Sequence, residues 1–178
     1  MKGIVFTEFL DMVEDHYGYA MVDQLIQDNN LPSEGIYTSV GTYQHQEMVQ
    51  LLMSLSRFTQ TPPPILLNAF GKHLFGVFSK GYHHFFDKVH TAFDFLESIE
   101  EYIHVEVLKL YPDAELPRFE TQRIKNQLEM IYRSDRRMAD LAEGLIEASL
   151  EHFHCSATIQ RENIDPKGGA VRFLITQE

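Results

Sequence analysis

Cysteine is nearly missing from this sequence. Cys155 stands alone among 178 residues, which excludes an intrachain disulfide, a four-cysteine zinc site and an iron–sulfur cluster. Positive charge is scarce as well: 15 Lys and Arg face 26 Asp and Glu, for a formal net charge of -11. Nucleic acid and anionic membrane surfaces draw most of their affinity from clustered Lys and Arg, so neither is an expected partner. Long apolar runs are also lacking. The opening stretch MKGIVFTEFLDMVEDH is broken by Glu8 and Asp11 and reads as neither a signal peptide nor a membrane span. No Gly-rich phosphate loop, nucleophile elbow or pair of catalytic carboxylates stands out, so an enzyme is not expected. Repeats, low-complexity segments and long linkers are absent too. What is present is an acidic chain, 44% hydrophobic, sized for one compact domain of one or two lobes. The expected location is the cytoplasm.

From Gly3 to about residue 111, apolar residues recur at helical spacing, first as Val5, Phe6, Phe9, Leu10 and Val13, then as Met21, Val22, Leu25 and Ile26. Leu31-Pro32-Ser33-Glu34-Gly35 ends the second helix. Thr61-Pro62-Pro63-Pro64 separates a helix over Met48 to Phe58 from the next. Phe86, Val89, Phe93, Leu96, Ile103, Val107 and Leu110 continue the spacing until Tyr111-Pro112-Asp113, which predicts one long helix or two abutting ones. After Pro117 the pattern changes. Arg118 to Thr121 and Gln127 to Tyr132 read as short strands, Met138 to Phe153 as a helix, and Ser156 to Arg161 with Val171 to Ile175 as a hairpin turned at Asp165 to Gly169. The predicted class is α+β: a helical lobe followed by a small antiparallel sheet crossed by one helix.

His104 lies at the margin of its helix's apolar stripe, on the same face as Phe93 and Val107. Taken alone, such a histidine is more often a hydrogen-bonded core residue than a ligand. Its setting, IHVEVLKLYPDAELP, and the later group Tyr132, Ser134 and Arg136 point further. A haem requires a neutral imidazole for its iron and charge-assisted donors for its propionates. Each member of the YxSxR group also has a bland reading: a strand end for Tyr132, a turn for Ser134 and a solvated charge for Arg136.

In the opening MKGIVFTEFL, the histidine of IHVEVLKLYPDAELP and the YxSxR triplet, the chain resembles, essentially from end to end, the haem nitric-oxide and oxygen binding (H-NOX) domains. Animal relatives of these domains form the sensor region of soluble guanylate cyclase. The resemblance implies haem b buried between a distal lobe of about residues 1–60 and a proximal lobe of about 61–178. His104 becomes the axial ligand, Tyr132, Ser134 and Arg136 hold the propionates, and Pro117 packs against the macrocycle and distorts it. Nitric oxide weakens the bond to the histidine, whose helix is then released. Val5, Leu74, Phe78, Leu141 and Leu145 form the distal pocket. Relatives that hold oxygen carry a tyrosine five residues beyond the motif arginine; here that position is Leu141, which implies a nitric-oxide sensor. With 178 residues there is no room for an output domain, so the expected partner acts in trans: a histidine kinase or a cyclic-di-GMP cyclase or phosphodiesterase. An oxygen or redox sensor, an oxygen-storage protein or haem-dependent enzyme such as a peroxidase, and a haem-free adaptor are the competing readings.

Other residues carry weaker signals. His73, Tyr43 and Tyr82 are candidates to reach the distal pocket. His83-His84 and His152-Phe153-His154-Cys155 form weak metal motifs, because neighbouring side chains turn apart where a helix gives way to a strand. Glu97, Glu100 and Glu101 read as a solvated helix face.

Overall fold

Apolar residues three and four apart place Phe6, Phe9, Met12 and Val13 on the buried side of helix α1 (Gly3–Tyr17) in the computed structural model, which describes every residue except Lys88. Gly18, at φ +82°, turns the chain in a conformation that strains other residues, and α2 (Tyr19–Gln27) packs back on α1. Helices α3 (His45–Thr59) and α4 (Pro63–Gly81) follow. Proline opens α4, where its missing N–H has no helical partner to lose. Leu51, Leu55, Leu66, Phe70 and Leu74 join the α1 and α2 residues in a first apolar core.

The helix expected from Phe86 begins later. A 3-10 turn covers His83–Phe85, and Phe86 and Val89 pack as non-helical residues against the second core described below. Lys88, within the expected span, lies outside the described residues. Helix α5 (Ala92–Ser98) starts where Thr91 caps it, its Oγ1 accepting the Asp94 N–H at 3.2 Å. It runs through a π-helical turn, Ile99–Ile103, directly into α6 (His104–Leu110). The expected run is therefore continuous from Ala92 to Leu110, with a local widening just ahead of His104.

Strands β1 (Arg118–Ile124), β2 (Gln127–Arg133), β3 (Ala157–Asn163) and β4 (Ala170–Gln177) form an antiparallel sheet in the order β1-β2-β4-β3. Strict alternation puts Leu128, Met130 and Tyr132 of β2 and Val171, Phe173 and Ile175 of β4 on the buried face. Helix α7 (Ala139–His152) connects β2 to β3, and its Ala142 and Ile146 join Phe93 and Leu96 of α5 over that face. The class is α+β, as the patterning predicts.

Helices α4 and α7 tie the two cores together. A Cβ on Gly144 would lie 2.0 Å from the Asn68 carbonyl oxygen, and one on Gly71 would lie 2.3 Å from that of Leu141. The helices thus meet backbone to backbone, which only glycine permits. Leu74 of α4 belongs to the first core and Phe75 to the second, while Leu145 of α7 touches both. Among the described residues no helix is long and apolar enough to cross a membrane.

Candidate functional site

The two cores do not merge everywhere. A cavity of about 300 Å³ opens at their junction, at the lower end of the ~300–1,000 Å³ range of ligand sites. The ten residues that the resemblance assigns to the haem and its distal pocket all line it: Val5 of α1, Leu74 and Phe78 of α4, His104 of α6, Pro117 just ahead of β1, Tyr132 of β2, Ser134 and Arg136 beyond it, and Leu141 and Leu145 of α7. Val5, Phe78, Leu141 and Leu145 are only partly buried beside fully buried neighbours. Their apolar surface faces the cavity instead of protein.

His104 is the one histidine in the lining among the described residues, with its side chain 14% exposed. Burial pulls its pKa below the ordinary value, opposed by the Glu100 carboxylate. The neutral imidazole is thereby favoured, the form that binds a metal. Its Nδ1 lies 3.2 Å from Glu100 Oε2, and the same oxygen accepts the Phe119 N–H at 3.0 Å. Glu100 is therefore not part of a simple solvated face. Glu97 also has a partner, Arg123 Nη1 at 3.3 Å.

At the rim, Tyr132 is 3% exposed and its hydroxyl oxygen accepts the Met138 N–H at 3.1 Å. Burial raises its pKa, so the phenol keeps its proton and can donate. Ser134 shapes the turn after β2: its N–H donates to Gly169 O at 2.9 Å, and its Oγ accepts the Arg136 N–H at 3.2 Å. The Arg136 guanidinium donates to the carbonyl and the carboxylate of Glu115, each at 2.7 Å. The arginine side chain is 18% exposed and that of Glu115 85%. A sheltered fork thus holds a solvated carboxylate, which another carboxylate can replace at small cost.

The remaining candidates separate. Tyr82 lines the cavity too, its ring stacked on that of Phe85. Tyr43 borders a neighbouring polar cavity with Lys2 and Asp113, and its hydroxyl accepts the Thr38 N–H at 2.9 Å. His73 lies outside the lining, 3.4 Å from Glu8. His152, the last residue of α7, packs on the rings of Phe75 and Phe86, and His154 and Cys155 follow it ahead of β3. Among the described residues, no three His, Cys, Asp or Glu side chains form a metal site. Sequence reasoning missed Glu100 as a histidine partner; its position four residues ahead of His104 was the available signal.

The lining fits a haem in each part: an imidazole for iron, apolar walls for the macrocycle, and hydroxyl and guanidinium donors at one rim for two carboxylates. Fold and cavity together define an α+β domain shaped for that group. The Haem-NO-binding family model matches residues 2–161, and the chain belongs to this family, the H-NOX domains, which are haem-binding gas-sensor domains. Three solved structures illustrate the likeness. The Fe(II) unliganded H-NOX protein from K. algicida is 46% identical, with a TM-score of 0.96 over 100% of this chain and 97% of that one. The Shewanella woodyi H-NOX in the Fe(II)CO ligation state is 41% identical, with a TM-score of 0.85 over 100% and 95%. The S. oneidensis H-NOX protein in the Fe(II)NO ligation state is 27% identical, with a TM-score of 0.92 over 100% and 99%. No curated protein sequence matches the chain.

Proposed function

We propose that this chain holds haem b through His104, senses nitric oxide in the cytoplasm, and signals in trans to a histidine kinase or a cyclic-di-GMP cyclase or phosphodiesterase. The observation that carries the choice of gas is the apolar wall formed by Val5, Leu74, Phe78, Leu141 and Leu145. When bound, haem supplies a ferrous iron with one coordination position open to a diatomic gas. His104 offers Nε2 to it, because Nδ1 is engaged by Glu100. Tyr132, Ser134 and Arg136 would hold the carboxylate edge, and Pro117, just ahead of β1, would pack against the macrocycle.

The apolar wall sets selectivity. Dioxygen draws negative charge from ferrous iron and needs a hydrogen-bond donor, whereas nitric oxide draws little. Leu141, an aliphatic side chain lining the cavity, gives none. The S. oneidensis relative, solved in its Fe(II)NO state, supports this reading of the gas. With His104 as the haem ligand, a gas that loosened its hold would leave α6, whose Val105, Leu108 and Leu110 are exposed, free to move, and the lobes of about residues 1–60 and 61–178 would shift with it. A partner that binds the two states unequally transmits the change.

Absorption spectra of the purified ferrous protein test this directly. A Soret band that shifts with nitric oxide and is unchanged in air is expected. Absence of the band overturns the haem assignment, and a stable shift in air overturns the selectivity.

A further inference from the structure

Resting on haem ligation by His104, we propose that Glu100 is the positioning residue of that ligand: it fixes the imidazole tautomer, strengthens the iron–nitrogen bond, and ties the ring to the edge of the sheet. One carboxylate oxygen serves two donors. Glu100 Oε2 lies 3.2 Å from His104 Nδ1 and 3.0 Å from the Phe119 backbone nitrogen. An ionised carboxylate accepts several hydrogen bonds, so both contacts form together. Because a carboxylate only accepts, the proton of the neutral ring resides on Nδ1, and the lone pair of Nε2 is left for the cavity that His104 lines.

The local fold produces this pairing. Glu100 lies inside the π-helical turn Ile99–Ile103, and His104 is the first residue beyond it. Phe119 is on β1, an edge strand paired only with β2, so its N–H is available to a side chain from outside the sheet. Its ring lies 5.9 Å from the imidazole. The carboxylate thus links the ligand helix to β1, and β1 to Tyr132 through the Phe119–Tyr132 register.

The chemical consequence is graded. A carboxylate drawing on the Nδ1 proton makes the ring a stronger electron donor through Nε2. Glutamine keeps an acceptor oxygen but loses the charge, and alanine loses both. Removing such outer partners lowers metal affinity by ~10- to 100-fold in other metal–histidine sites.

Resonance Raman spectra of the ferrous, gas-free protein read the iron–histidine stretch. Its wavenumber is expected to fall in Glu100→Gln and further in Glu100→Ala. Haem transfer to an acceptor apoprotein is expected to accelerate by roughly 10- to 100-fold in Glu100→Ala. The glutamine variant keeps the side-chain shape and a partner for Phe119, so it yields a readout even where alanine unfolds the segment. A wild-type band that stays put in the variants overturns the role of Glu100 and leaves the haem assignment standing. Faster haem loss without a shift also overturns it, since Glu100 then only supports β1. A wild type that takes up haem without an iron–histidine band, or takes up none, overturns both.

Discussion

The crossing of α4 and α7 makes one substitution change sign with position. At Gly144 an added Cβ would meet the Asn68 carbonyl oxygen at 2.0 Å. That obstacle is backbone and cannot swing aside, so the helices must separate. Overpacking of this kind costs ~1–3 kcal/mol, and backbone on backbone puts the site near the upper end. Alanine recovers ~1 kcal/mol of helix propensity. Gly144→Ala is therefore expected to lose about 2 kcal/mol net, or ~4–8 °C in Tm for a domain of this size. Gly76 lies in α4 too, but nothing comes within 4 Å of its added Cβ. Gly76→Ala keeps only the propensity gain and is expected to raise Tm by ~2–4 °C. Thermal unfolding of both variants, prepared alike, makes the comparison. If Gly144→Ala is as stable as the wild type, or both variants shift Tm the same way, the steric reasoning fails.

Further outcomes follow from the geometry. His104→Gly should lose haem unless imidazole is supplied, while Arg136→Ala should release haem faster with an unchanged absorption spectrum; both are read by spectrophotometry. Leu141→Tyr places a donor in the apolar wall, and a hydrogen bond to a charged acceptor, ~1.5–3 kcal/mol, should raise oxygen affinity at least ~10-fold, seen as a spectral change in air. Glu47 is 3% exposed and accepts from the Ser33 N–H and hydroxyl and the Tyr37 hydroxyl; Glu47→Ala should cost roughly 2–3 kcal/mol in urea unfolding. Burial raises the Tyr132 pKa, so the unfolded chain releases this proton first. Its contribution to stability is whole below the ordinary value of about 10 and is lost as pH rises through the folded value. Tyr132→Phe should flatten that alkaline part of a stability-against-pH curve.

The helical half was legible because its stops are local. Pro62 and Pro63 start α4, and Tyr111-Pro112 ends α6. Phe86 and Val89 misled because loop residues packed on a core can share helical spacing by chance; the true start is the Thr91 cap. Apolar alternation exposed the buried sides of β2 and β4, whereas β1, mostly exposed and polar, showed only part of its length. At the site, the ten residues that the resemblance assigns to the haem and its distal pocket share one cavity. Glu100 was hidden because a glutamate four residues from a histidine looks the same whether it faces water or the ring. Only the approach of β1, with the Phe119 N–H, distinguishes the two. The Gly71 and Gly144 contact was equally invisible, since it joins residues far apart in the chain.

Strand β1 ends the sheet, and a free edge invites pairing with another molecule. Here the Phe119 N–H is covered by Glu100, Arg123 is clasped by Asp94 and Glu97, and Glu120 pairs with Arg133. Another chain seeking to extend the sheet from this side must break those contacts and strip water from the charges. The border beside the histidine is thereby guarded against aggregation, and association with other molecules is directed to other faces.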